Sequence, residues 1–158
     1  MSQVGETRPH TPERSDGGQA FFTAVGCMDG RVQDPVALYG KARYSAKFAD
    51  TITEAGLVGQ ISRLPKPGTG GQVKKDADPK LLESVKNKIL ISLTKHLSKG
   101  IVVHGHQECA GNPVADEQHK EETREAARII KGMLGAMDLE VKPIFIIRSG
   151  EDWVVEEL

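Results

Sequence analysis

The sequence carries almost no excess of charge. Its 21 lysines and arginines against 22 aspartates and glutamates leave a formal net charge of -1, which gives no electrostatic reason to expect a nucleic acid or an anionic membrane as partner. Long hydrophobic runs are missing too. The longest, such as Ile144 to Ile147, fall far below the roughly 18 residues that span a bilayer, and the N-terminus has no apolar signal core, so a cytoplasmic protein is expected. Cysteine is nearly absent. Two cysteines in a cytosolic setting point to reduced thiols rather than a disulfide, which leaves them available as thiolate ligands. On the count alone, two inert buried cysteines are the favoured alternative, and the neighbouring residues shift that balance.

At 158 residues, with 38% apolar and 27% charged side chains, the chain has the composition of one ordinary globular domain. Residues 1–19 are polar and without periodicity and read as a flexible N-terminal arm, leaving residues 20–158 as a single domain. Ala20 to Gly26 (AFFTAVG) is a nearly continuous apolar run suited to a strand buried on both faces. Asp34-Pro35 reads as a helix start ahead of a short helix over Val36 to Tyr39. Lys47 to Thr53 reads as a second strand, closed by a turn at Gly56. Arg63 to Pro79, with three prolines and three glycines, reads as a long exposed loop.

Asp78-Pro79 then caps a helix whose apolar stripe is Leu82, Val85, Ile89, Leu93 and Leu97. A third strand over Ile101 to His104 follows, then a helix over about Glu117 to Met137 that buries Ala126, Ile130, Met133, Leu134 and Met137. Val141 to Ile147 reads as a fourth strand, with a short last strand, Trp153 to Val155, in hairpin with it. Strands alternating with helices, with nearly continuous apolar strands, predict an α/β fold with a mainly parallel central sheet flanked by helices and a short antiparallel C-terminal strand.

Two of these runs end alike. IVVHGHQECAGN breaks at His106 and Cys109, and AVGCMDGR breaks at Cys27. Side by side in a parallel sheet, the two strands would bring Cys27, His106 and Cys109 together beyond their carboxyl ends, where ligands bind in such sheets. Two thiolates and one imidazole suit zinc, and three protein ligands leave a fourth position for water or substrate. Asp29 and Arg31, two and four residues after Cys27, have three readings: a water-orienting pair, an aspartate that itself fills the fourth position until Arg31 draws it away, or a plain loop salt bridge. His104 is a candidate proton shuttle, set against a histidine satisfied by backbone hydrogen bonds. His10, His96 and His119 read as surface residues.

CMDGR followed by GHQEC resembles the beta class of carbonic anhydrases, whose motifs are Cys-x-Asp-x-Arg and His-x-x-Cys on a Rossmann-like sheet. The resemblance implies Cys27, His106 and Cys109 as zinc ligands and Asp29 with Arg31 as a catalytic dyad. It implies reversible hydration of carbon dioxide to bicarbonate by a zinc-bound hydroxide oriented by that dyad, in a homodimer or higher homo-oligomer with the first helix and a sheet edge at the contact. Relatives of that class that hydrolyse carbonyl sulfide or carbon disulfide supply an alternative, and a non-catalytic zinc or anion-binding protein of this fold is another. The chain departs from the family pattern at Thr53-Glu54, where an Arg-Asn pair is usual, at Glu108, where aspartate is common, and at Ala110, where glycine is typical.

Overall fold

A computed structural model describes residues 19–65 and 78–158. Apart from Gln19, the expected arm over residues 1–19 lies outside the described residues, as does most of the loop expected over residues 63–79. Strands β1 (Phe21–Cys27), β2 (Phe48–Glu54), β3 (Ile101–His106), β4 (Val141–Ser149) and β5 (Asp152–Glu157) form one sheet in the order β2-β1-β3-β4-β5. The first four run parallel, and β5 returns antiparallel along β4. The expected α/β architecture is therefore the observed one.

Helices α1 (Gly30–Tyr44), α2 (Leu57–Ser62), α3 (Pro79–Lys95) and α4 (Asp116–Met133) cover the sheet unequally. One face packs Val25, Ile52, Ile101 and Val103 against residues of α2, α3 and α4, among them Leu57, Ile61, Ile89 and Ile130. The other packs Phe22, Ala24, Val102, Ile144 and Ile146 against Val32 and Val36 of α1. Alternate residues of β1 and β3 thus serve opposite cores, which is why both strands read as unbroken apolar runs. Each fully enclosed isoleucine contributes roughly 1.5–3 kcal/mol relative to an exposed one.

Several boundaries fall elsewhere than the sequence pattern suggests. Asp29, not Asp34, caps α1: its side chain accepts from the Arg31 amide, and the helix runs 15 residues with Pro35 inside it. Two aspartates compete as caps, and the earlier one wins because its carboxylate has a second partner in the Arg31 side chain. The short helix α2 was not expected; six residues right after a strand are too few to show a period. Leu97 lies beyond the end of α3 in a left-handed conformation (φ 52°) and so leaves that helix's stripe. Helix α4 stops at Met133, and Met137 is 44% exposed rather than buried. Among the described residues no helix is long and apolar enough to cross a membrane.

From β1 the chain crosses by α1 to β2 on one side, then returns through α2 and α3 to β3 on the other side of β1. The crevice of the fold therefore opens between the carboxyl ends of β1 and β3, where the connections diverge. Cys27 is the last residue of β1 and His106 the last of β3.

Candidate metal centre

Cys27, His106 and Cys109 meet in this crevice. One ligand atom from each, the two Sγ atoms and a ring nitrogen, lies within 4.8 Å of the others, and all three side chains are buried. The sulfurs stand 3.7 Å apart, far beyond a disulfide bond. Two thiolates about 2.3 Å from one tetrahedral ion would be about 3.8 Å apart, so the pair already has the spacing of a shared metal. His106 Nδ1 lies 2.7 Å from the Gln107 carbonyl and donates to it. That bond fixes the tautomer and leaves Nε2 as a lone-pair donor, and Nε2 is buried without a hydrogen-bond partner. An orphaned imidazole nitrogen beside two thiols is the donor set that zinc fits.

Local backbone chemistry prepares the sulfurs. Gly56 has φ +62°, and its amide points at Cys27 Sγ at 3.4 Å. A side chain there would collide with the Gly111 carbonyl at 2.3 Å, so the loop after β2 and the loop carrying Cys109 touch backbone to backbone only because both positions are glycine. The Cys109 thiol donates to Cys27, the largest influence lowering the Cys27 pKa, and His106, the Gly56 amide and the backbone at Asp29 add to it against the effect of burial. The same contact, with burial, raises Cys109. The pair gives up its first proton easily and its second reluctantly. Burial works to lower the His106 pKa, but the adjacent Cys27 sulfur and its charge, with the bond to the Gln107 carbonyl, outweigh it and the net direction is upward.

Asp29 begins α1 immediately beside the cluster. Arg31 Nε lies 3.0 Å from Oδ1 and Nη2 2.7 Å from Oδ2, so both carboxylate oxygens are engaged. Hydrogen bonding from the guanidinium is the main reason its pKa falls to about 2 against partial burial, with the Arg31 amide and the charges of Arg31 and His106 adding to it. Gln33, one turn into α1, donates both amide hydrogens, to the carbonyls of Cys27 (2.9 Å) and Asp29 (2.8 Å). It clamps the loop that carries Cys27 and Asp29. Gln107 does the same for the other loop, donating to Asp116 and accepting from the Arg148 amide. Neither glutamine is visible to motif reading, because Gln33 acts on two backbone carbonyls and Gln107 on the Asp116 carboxylate and the Arg148 amide, none of which a motif records.

Strand β3 continues through Gly105, so His104 projects from the same face as His106, yet it is fully enclosed against Gly26 and neither ring nitrogen has a hydrogen-bond partner. It is not satisfied by the backbone, and burial lowers its pKa to about 4. His119 is 1% exposed rather than on the surface: it shares the inward face of α4 with Thr123, Ala126 and Ile130 and packs edge-on to Phe145. His96 is partly exposed but engaged, with Nδ1 2.7 Å from Asp50 and its ring stacked on Phe21. His10 lies outside the described residues.

The fold is a mainly parallel α/β sheet with a buried Cys-His-Cys cluster at its switch point that could hold a metal ion, and comparison with known proteins gives its family. The chain belongs to the family described as "Putative carbonic anhydrase", which matches residues 17–158. Among solved structures it is similar to the b-carbonic anhydrase CafA of the fungal pathogen Aspergillus fumigatus, at 15% identity over 93% of this chain and 79% of that one, with a TM-score of 0.44. No curated protein matches it.

Proposed function

We propose that this protein is a zinc-dependent carbonic anhydrase that interconverts carbon dioxide and bicarbonate. The observation that carries the reading is the buried cluster of Cys27, His106 and Cys109 set beside Asp29, both of whose oxygens are occupied by Arg31. A purely structural zinc site has no use for that neighbouring pair. Family membership supports the same reading.

Cys27 Sγ, His106 Nε2 and Cys109 Sγ would hold the ion. Bound there, zinc supplies the Lewis acidity that makes water a nucleophile near neutral pH. Asp29 accepts a hydrogen bond from the attacking water and so directs its lone pair at carbon dioxide. Arg31 keeps Asp29 ionised and fixes the plane of its carboxylate. Gln33 sets the distance between Cys27 and Asp29 by holding both carbonyls. The hydrogen bond from His106 Nδ1 to Gln107 places the lone pair of the neutral ring on Nε2 and aims it at the cluster. His104 does not relay the proton, because its ring is sealed between strands with no partner to pass it to.

A homodimer or higher assembly with α1 and a sheet edge at the contact belongs to this reading. Leu38 on α1 and Phe48 on the edge strand β2 are 70% and 45% exposed, which supports it. Light scattering at micromolar concentration tests that part, a monomer refuting it. The function is tested by stopped-flow hydration of carbon dioxide on zinc-loaded protein, with metal content assayed on the same sample. Fast hydration is expected. Zinc without hydration would overturn the reading in favour of carbonyl sulfide or carbon disulfide as substrate, and after those of a binding role.

A further inference from the structure

Arg31 is held from more sides than its pairing with Asp29 requires. Nη1 donates to Glu108 Oε2 at 3.1 Å, and Nη2 lies 3.3 Å from the Glu108 carbonyl. The guanidinium also lies over the indole of Trp153, 4.7 Å from the ring centroid. The second Glu108 oxygen accepts from Arg148 Nη1 at 3.3 Å, and Arg148 covers the same indole at 5.9 Å. Two cations and two carboxylates thus balance around one aromatic face, so the assembly has no surplus charge with which to hold an anion. Its members come from the loop after β3, the end of β4 and the start of β5; Glu108 and Trp153 touch Arg31 at the start of α1, and Arg148 braces those two.

The arginine so gripped would otherwise be mobile. Its side chain is 44% exposed, and a long side chain in that setting has many rotamers open to it. A guanidinium stacked on an indole and bridged at its outer edge by a carboxylate loses most of them. Glu108 can reach Arg31 because its own backbone turns left-handed, with φ +55°, between His106 and Cys109. The contact therefore ties the Cys27 loop to the Cys109 loop across 77 residues of sequence. No carboxylate enters the Cys27–His106–Cys109 cluster among the described residues, although Asp29 is only two residues from Cys27.

Resting on the function proposed above, we propose that Trp153 and Glu108 are positioning residues for the Asp29–Arg31 pair: they hold Arg31 where it keeps both Asp29 oxygens, and so keep that carboxylate off the metal cluster. Without them Arg31 moves freely, Asp29 is released for part of the time, and the cluster closes on its own aspartate. The cost falls on access of small ligands to the metal before it falls on the chemistry.

The test uses cobalt-substituted protein titrated with azide and read by visible absorption, which follows the metal's ligands without turnover. Wild-type protein should show an azide-dependent spectrum. Trp153→Ala and Glu108→Gln should each raise the azide concentration for half-change about fivefold or more, because the open arrangement becomes a minority state. Trp153→Phe should lie near wild type, since a phenyl face still receives the guanidinium. Adding Asp29→Asn to Trp153→Ala should restore the wild-type titration, because the competing carboxylate is gone; a merely structural loss would not recover. Titrations of Trp153→Ala and Glu108→Gln that match wild type overturn the inference, as does a double variant that stays weak. Glu108→Gln changes little in size and decides the matter should Trp153→Ala not fold. A wild-type protein that takes up no cobalt would instead overturn the metal reading itself.

Discussion

Gly26→Ala tests whether the packing between β1 and β3 is as tight as the site requires. Gly26 lies opposite His104 in the parallel register, one residue before Cys27 and two residues short of His106 on the partner strand. A Cβ on Gly26 would stand 2.3 to 2.4 Å from three atoms of the His104 ring. Ordinary carbon contacts begin near 3.5 Å, so the ring or the strand would have to give way by about 1.2 Å. Neither has room to do so cheaply, because His104 is 0% exposed and its neighbours Val25, Val102, Val103 and Ile144 are equally enclosed. Overpacking of this kind costs roughly 1–3 kcal/mol, and the depth of the overlap puts the expectation at the upper end. In a domain of this size that lowers the melting temperature by about 4–10 °C.

The assay is urea denaturation of metal-free protein in chelator, so that ligand binding does not add to stability. It is run on wild type, Gly26→Ala, His104→Ala and the double variant. If the overlap with His104 is the cause, removing the ring makes room for the new methyl, and the cycle should show a coupling of about 1 kcal/mol or more in favour of the double variant. A Gly26→Ala cost that is the same with and without the His104 ring would refute the reasoning and place the strain in the backbone.

Three further outcomes are expected. Cys109→Ser should lose most of the zinc that wild type retains after dialysis, by atomic absorption; full retention would remove Cys109 from the ligand set. Asp29→Asn should keep zinc but slow hydration by about a hundredfold, as loss of one preorganised transition-state contact does; unchanged turnover would reduce Asp29 and Arg31 to a loop salt bridge. Glu140, at the entry to β4, is held below its ordinary value of 4.5 chiefly by the hydrogen bond from Arg43. Its folded pKa is depressed, so its contribution to stability is present above pH 4.5 and fades as pH falls below that. Glu140→Gln should accordingly lie below wild type in melting temperature at pH 7, with the gap narrowing as pH falls below 4.5, and a gap that does not narrow on acidification would show that the carboxylate's charge is not the cause.

The sequence by itself determined the ingredients whose signal is local. Apolar runs that break into polar loops marked Cys27, His106 and Cys109 as neighbours, because a strand buried on both faces has one readable end and a parallel sheet lines such ends up. Asp78-Pro79 announced α3 for the same reason, since a cap and a fixed φ act within one turn. Asp29 and Arg31 needed only their two-residue spacing to be paired.

What only the tertiary structure decided are the relations between segments distant in the chain. Whether His104 and His119 face water or core depended on the strand continuing through Gly105 and on the phase of α4. Trp153 and Glu108 meet Arg31 only where β5 and the loop after β3 fold over it. The physical reason is range: capping, φ restriction and period act over three or four residues, whereas stacking, ion pairing and close packing act over a few ångströms of space and are indifferent to the number of residues between their partners.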